Sequence, residues 1–125
     1  MTEFLYSELS YKLRGSFFAV YKSLGSFHRE SVYQKALVSE FSTNGIFFER
    51  EVELPVIYVG EEIGKYRADF IIEERIIVEV KAVEKMHPVF DAQLLTYLKL
   101  TKRRLGLLIN FNVPLIRDGI ERIVL

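Results

Sequence analysis

The chain has 125 residues, enough for one domain, and half of them are hydrophobic, enough for a real core. Its 17 basic and 17 acidic residues cancel, which excludes a strongly basic nucleic-acid coat and an acidic tail. The lack of cysteine excludes a disulfide scaffold and any cysteine-based zinc site.

The opening MTEFLYSELSYKLRG carries acids and no apolar core, unlike a signal peptide. The longest apolar runs, Leu105–Phe111 and Ala68–Ile72, fall far short of the roughly 20 residues of a membrane span. The expectation is a soluble, cytoplasmic chain folded as a single domain over residues 1–125.

Phe4, Leu5, Leu9, Leu13, Phe17, Val20, Tyr21 and Leu24 recur at spacings of three and four, the stripe of an amphipathic helix that stops at Gly25. A second helix is predicted over Arg29–Ser42, with Asn44-Gly45 ending it. The pattern then changes to strands at Phe47–Leu54 and Val56–Val59, with Pro55 suited to an edge or bend. After a turn at Gly60-Glu61-Glu62, stronger strands follow at Ile63–Ile72 and Arg75–Ala82. A third helix is predicted over Val89–Lys99. Leu105–Phe111 is apolar enough for a strand buried on both faces, and Glu121–Leu125 makes a final edge strand. The helix at 89–99 links two buried strands, so that crossover should be parallel and right-handed. The class is α/β.

The first helix carries Phe4, Tyr6, Tyr11, Phe17, Phe18 and Tyr21, more aromatic surface than one face can hide. A homodimer or a partner protein would cover the surplus.

Chemistry concentrates in Tyr66-Arg67-Ala68-Asp69-Phe70-Ile71-Ile72 and Ile76-Ile77-Val78-Glu79-Val80-Lys81-Ala82. With residues 73 to 75 as the loop, Asp69 faces Glu79 and Arg67 faces Lys81. One face then reads Arg67, Asp69, Glu79, Lys81; the other reads Ala68, Phe70, Val78, Val80. A two-residue loop would set Asp69 against Val78, which a half-buried sheet resists. Opposed carboxylates repel, and a hard divalent cation such as Mg²⁺ or Mn²⁺ would reconcile them. The rival reading is a solvated face on which Arg67 and Lys81 simply pair with the acids. Glu-x-Lys alone is weak, since about 0.4 such triplets arise by chance in a chain this long.

Asp69, Glu79-x-Lys81 and Gln93-x-x-x-Tyr97 together resemble the PD-(D/E)XK phosphodiesterase superfamily. The run Leu24-Gly25-Ser26-Phe27-His28-Arg29-Glu30-Ser31-Val32-Tyr33-Gln34-Lys35-Ala36-Leu37 is similar to the signature of its small GxxExxY family. So are Phe48-Glu49-Arg50-Glu51-Val52, Leu54-Pro55-Val56 and Gly106-Leu107-Leu108-Ile109-Asn110-Phe111, in order along nearly the whole chain. The namesake glycine is replaced by Phe27, while Glu30 and Tyr33 keep their places.

The resemblance implies a restriction-endonuclease-like core, a central mixed sheet flanked by helices, and Mg²⁺-dependent (or Mn²⁺-dependent) cleavage of nucleic acid, DNA rather than RNA. It implies metal ligation by Asp69, Glu79, the carbonyl of Val80 and Glu30, the last directly or through waters. Lys81 is then the catalytic lysine. Gln93 joins the catalytic set and, with Tyr97 and Arg67, contacts substrate. The alternative function is an accessory or binding module that keeps the fold and does not cut.

Overall fold

The computed structural model describes residues 5–125. Helices α1 (Ser7–Leu24) and α2 (Glu30–Thr43) lead into strands β1 (Phe48–Tyr58), β2 (Glu61–Ile72) and β3 (Ile76–Lys81). Helix α3 (Pro88–Thr101), strand β4 (Leu105–Asn110), a 3-10 turn over Ile116–Gly119 and strand β5 (Ile120–Val124) complete the order. The buried positions of α1 include Leu13, Phe17 and Val20, and those of α2 are Tyr33, Leu37 and Phe41. Both sets follow the three-and-four spacing read from the sequence. Phe4, assigned to the first helix by that spacing, lies outside the described residues. The α1 aromatic surplus narrows to Tyr11 and Phe18: Phe17 is buried, and the Tyr21 hydroxyl donates to the carbonyls of Val113 and Pro114.

Three boundaries differ from expectation for physical reasons. Pro55 does not split the first strand, because β1 is the outer edge of the sheet and needs no N–H there. The turn before β2 is Val59-Gly60, both with positive φ, so Glu61 and Glu62 already pair with β1. Helix α3 starts at Pro88 and is capped by His87, whose Nδ1 accepts from the Val89 N–H at 3.0 Å.

The sheet runs β1-β2-β3-β4-β5, antiparallel throughout except for the parallel β3–β4 pair across α3. It is a mixed sheet with α1 and α2 against one face and α3 against the other. Among the described residues no helix is long and apolar enough to cross a membrane.

One irregularity shapes everything at the centre of the sheet. In β1 and β2 the pairing runs through Arg50↔Phe70, omits Glu51 and Asp69, and resumes at Val52↔Ala68. Glu51 is left-handed, with φ 53. Phe48 and Phe70 pack with α1 and α2, whereas Val52 and Ala68, at even spacing from them, pack in the cluster under α3. Strict alternation forbids this, so both strands change phase at Glu51 and Asp69. The expected face that grouped Ala68 with Phe70 is therefore corrected: the two lie on opposite sides.

The close fit of α3 gives a stability test. A Cβ at Gly106 in β4 would stand 2.8 Å from the Cγ of buried Leu94. Gly106→Ala should cost roughly 1–3 kcal/mol by overpacking, read as a lower urea midpoint. An unchanged midpoint would show that α3 rides freely over the sheet.

Candidate active site at the fork of two strands

The β2–β3 ladder contains Ile72↔Ile76, Ile71↔Ile77 and Phe70↔Val78, the register expected from a three-residue loop, and there it stops. Beyond it the backbones no longer bond to each other, and side chains take over. The Asp69 N–H donates to Glu79 Oε2 at 2.6 Å, and the Val80 N–H donates to Asp69 Oδ2 at 2.8 Å. Each carboxylate thus holds the other strand's backbone. The phase change explains why Asp69 points across to β3.

This clasp sits deep. Glu79 is 5% exposed and Asp69 is half-buried. Burial, followed by the Asp69 charge, pushes the Glu79 carboxyl up to about 8. Asp69 is also raised, by burial first, against the lowering effect of the Val80 N–H and of Lys81. The Glu30 carboxylate, at the first residue of α2, raises both acids through its field. Lys81 closes β3 with its ammonium 4.4 Å from the centre of the Phe90 ring, a cation–π seat that holds it beside the acids. From α3, Tyr97 is buried and its hydroxyl is pushed up to about 12 by burial and then by Glu79 and Asp69. Gln93, one turn earlier, lines a surface groove with Tyr66, Val89 and Tyr97.

Asp69, Glu79, the Val80 backbone, Lys81 and Tyr97 therefore converge, with Glu30 acting at longer range. Arg67 does not join Lys81, because the ladder ends before reaching them. It lies on the exposed arm of β2, 3.9 Å from Glu51. Among the described residues no three histidine, aspartate or glutamate side chains form a metal-holding cluster. The donor set is instead a two-carboxylate one. That suits Mg²⁺ or Mn²⁺, which take one or two carboxylates plus waters and substrate oxygens. A cation would also relieve the raised, mutually repelling pair.

Sequence reasoning gave no role to Arg50 and Gln34. Arg50 Nη2 donates to Gln34 Oε1 at 3.3 Å, its Nε is buried without a partner among the described residues, and its charge lowers the Asp69 carboxyl. The signal was its position two residues after inward-facing Phe48, where an alternating strand turns side chains into the protein.

A model of the PD-(D/E)XK nuclease superfamily matches residues 7–123, nearly the whole chain. The chain belongs to the PD-(D/E)XK nuclease superfamily. This superfamily member is also similar to the crystal structure of SSO0001, with 30% identity and a TM-score of 0.50 over 74% of this chain. The match covers 46% of the SSO0001 chain, so the present chain spans less than half of that length. A search of curated proteins finds no match.

The buried pair predicts how stability follows pH without metal. The Glu79 carboxyl stays protonated in the folded protein up to about 8, against 4.5 ordinarily. Its stabilising contribution is intact below 4.5 and is lost as pH rises through 8. Glu79→Gln, a neutral isostere that still accepts from Asp69, should flatten this fall. At pH 9 it should melt above wild type by roughly 4 °C or more, equivalent to about 1 kcal/mol. Parallel melting curves would mean that the carboxyl ionises alike in both states.

Proposed function

We propose that this domain hydrolyses phosphodiester bonds in nucleic acid, DNA first, with Mg²⁺ or Mn²⁺ held by Asp69 and Glu79. The observation that carries this reading is the fork: one buried and one half-buried carboxylate, fixed by each other's strand, with Lys81 seated alongside in a chain of the PD-(D/E)XK superfamily. A salt-bridged solvated face would leave these acids exposed and paired with Arg67 and Lys81, and they are neither. When bound, the ion would polarise the scissile phosphate and acidify a water.

The chain's own residues do the rest. Asp69 and Glu79 hold the cation, with the Val80 carbonyl as a further oxygen and Glu30 acting on its waters. The Lys81 ammonium orients the attacking water and stabilises charge developing on the phosphate. The Phe90 ring keeps that ammonium in place without neutralising it. Gln93 and Tyr97 line the groove beside the acids and position the strand, and Arg67 meets it farther out on the β2 arm. Membership of the GxxExxY subfamily is part of this proposal, supported by Glu30 and Tyr33 in their expected places.

The test separates metal binding from turnover. Single-turnover cleavage of single-stranded, duplex and branched DNA, and of RNA, is measured with Mn²⁺ beside calorimetry of Mn²⁺ binding. Asp69→Asn and Glu79→Gln should lose both binding and cleavage. Lys81→Ala should keep Mn²⁺ affinity while cleavage falls by on the order of 10²-fold or more, since it removes charge stabilisation and no ligand. Gln93→Ala should mainly weaken substrate binding. A wild type that binds nucleic acid but never exceeds the Lys81→Ala background would make this an accessory module.

A further inference from the structure

Phe27 occupies a position where its side chain costs stability and buries nothing. It is 88% exposed, and its φ of 72 lies in the left-handed region that a side chain other than Gly, Asn or Asp rarely enters. Such a conformation is strained for any side chain. At Val59 and Glu73-Glu74 a hairpin turn demands the same conformation, and at Lys102 a helix cap does. A glycine would serve the α1–α2 junction at no such cost.

The core enforces the conformation. Tyr33, fully buried and stacked on Phe111 at 4.3 Å, donates its hydroxyl proton to the Gly25 carbonyl at 2.6 Å and accepts from the His28 N–H at 3.3 Å. His28 Nε2 lies 2.9 Å from the Leu24 carbonyl. The Phe27 ring is thus presented outward on a rigid mount. It opens onto a depression shared with Glu84 and Asn112, which follow the ends of β3 and β4 where Lys81 also lies. Glu30 is three residues away, a span of at most about 11 Å.

We propose that Phe27 is a stacking platform for an unpaired base of the strand whose phosphate lies at Asp69 and Glu79. Unpaired strands, as single-stranded or frayed ends, are then the substrate class. The inference rests on the nuclease reading of that site. Charge favours it. Three acids, Asp69, Glu79 and Glu30, interact with two cations, Lys81 and Arg50, and the chain is neutral overall, so attraction to phosphate contributes little. Stacking holds a base without reading sequence. A duplex keeps its base faces inside its own stack, whereas an unpaired base offers one. Tyr66, 47% exposed and with its ring 5.7 Å from that of Tyr97, adds a second exposed aromatic surface.

The test uses fluorescence anisotropy of labelled single-stranded DNA, the matching duplex and the matching RNA strand. Binding is read in the Lys81→Ala background so the strand stays intact, and cleavage with Mn²⁺ is read in the otherwise wild-type chain. Phe27→Gly should melt no lower than wild type, because glycine suits the backbone, yet bind the single strand about tenfold more weakly. Phe27→Trp should bind as wild type does, and 2-aminopurine in the strand should be quenched by either aromatic and not by glycine. Undiminished single-strand binding by Phe27→Gly, or a wild type that prefers the duplex, overturns the platform. If wild type still cleaves in that case, the nuclease reading stands alone. If wild type neither binds nor cleaves any of the three, both readings fall.

Discussion

The structure turns on two hydrogen bonds that replace a ladder. Where β2 and β3 part, the Asp69 N–H goes to Glu79 and the Val80 N–H goes to Asp69. Buried backbone donors demand partners, and an ordinary sheet would supply carbonyls from the neighbouring strand. Here carboxylates supply them, and Lys81 and Tyr97 stand close enough for their electrostatics and the acids' to act on one another. The same acids that satisfy the backbone therefore offer the oxygens that a cation would need. Under the proposed function, folding and chemistry use one pair of side chains.

That double duty explains the surrounding architecture. Groups from three further elements surround the clasp that Glu79, buried, and Asp69, half-buried, make with each other's strand. Helix α2 brings Glu30, α3 brings Tyr97 and Phe90, and β1 brings Arg50. The left-handed residue Glu51 sits opposite Asp69 and lets both strands change phase there. Without that slip Asp69 would project squarely onto one face of the sheet and miss the Val80 N–H. A local irregularity at a left-handed glutamate thus aims the central acid.

Much of this was legible in the sequence. The spacing of Leu13, Phe17 and Val20 and of Tyr33, Leu37 and Phe41 gave both leading helices, because the core repeats with the helical period. The apolar pairs Phe70/Val78 and Ile72/Ile76 set the register that brings Asp69 to Glu79, since a one-residue slip would turn them outward. Three features were not legible. The continuity of β1 through Pro55 depends on which strand is the edge, a fact of topology and not of local pattern. The phase change at Glu51 arises from a backbone conformation that glutamate seldom adopts, so no propensity announces it. The role of Arg50 follows from its burial, and a charged residue in a strand is read by default as solvated.

The outer edge of β1 has a consequence for the molecule in a crowded solution. An edge strand of this length, ending in the exposed apolar tip Ile57, Tyr58 and Val59, is a template onto which further strands can add. Glu49, Glu51 and Glu53 all stand exposed along it, and Pro55 removes a donor from the row. A second copy aligned in antiparallel fashion would bring acid against acid and meet a missing hydrogen bond. The edge is thus guarded against open-ended growth of the sheet into fibrils. The hairpin can remain long, apolar at its tip and free to reach beyond the body of the protein without seeding its own aggregation.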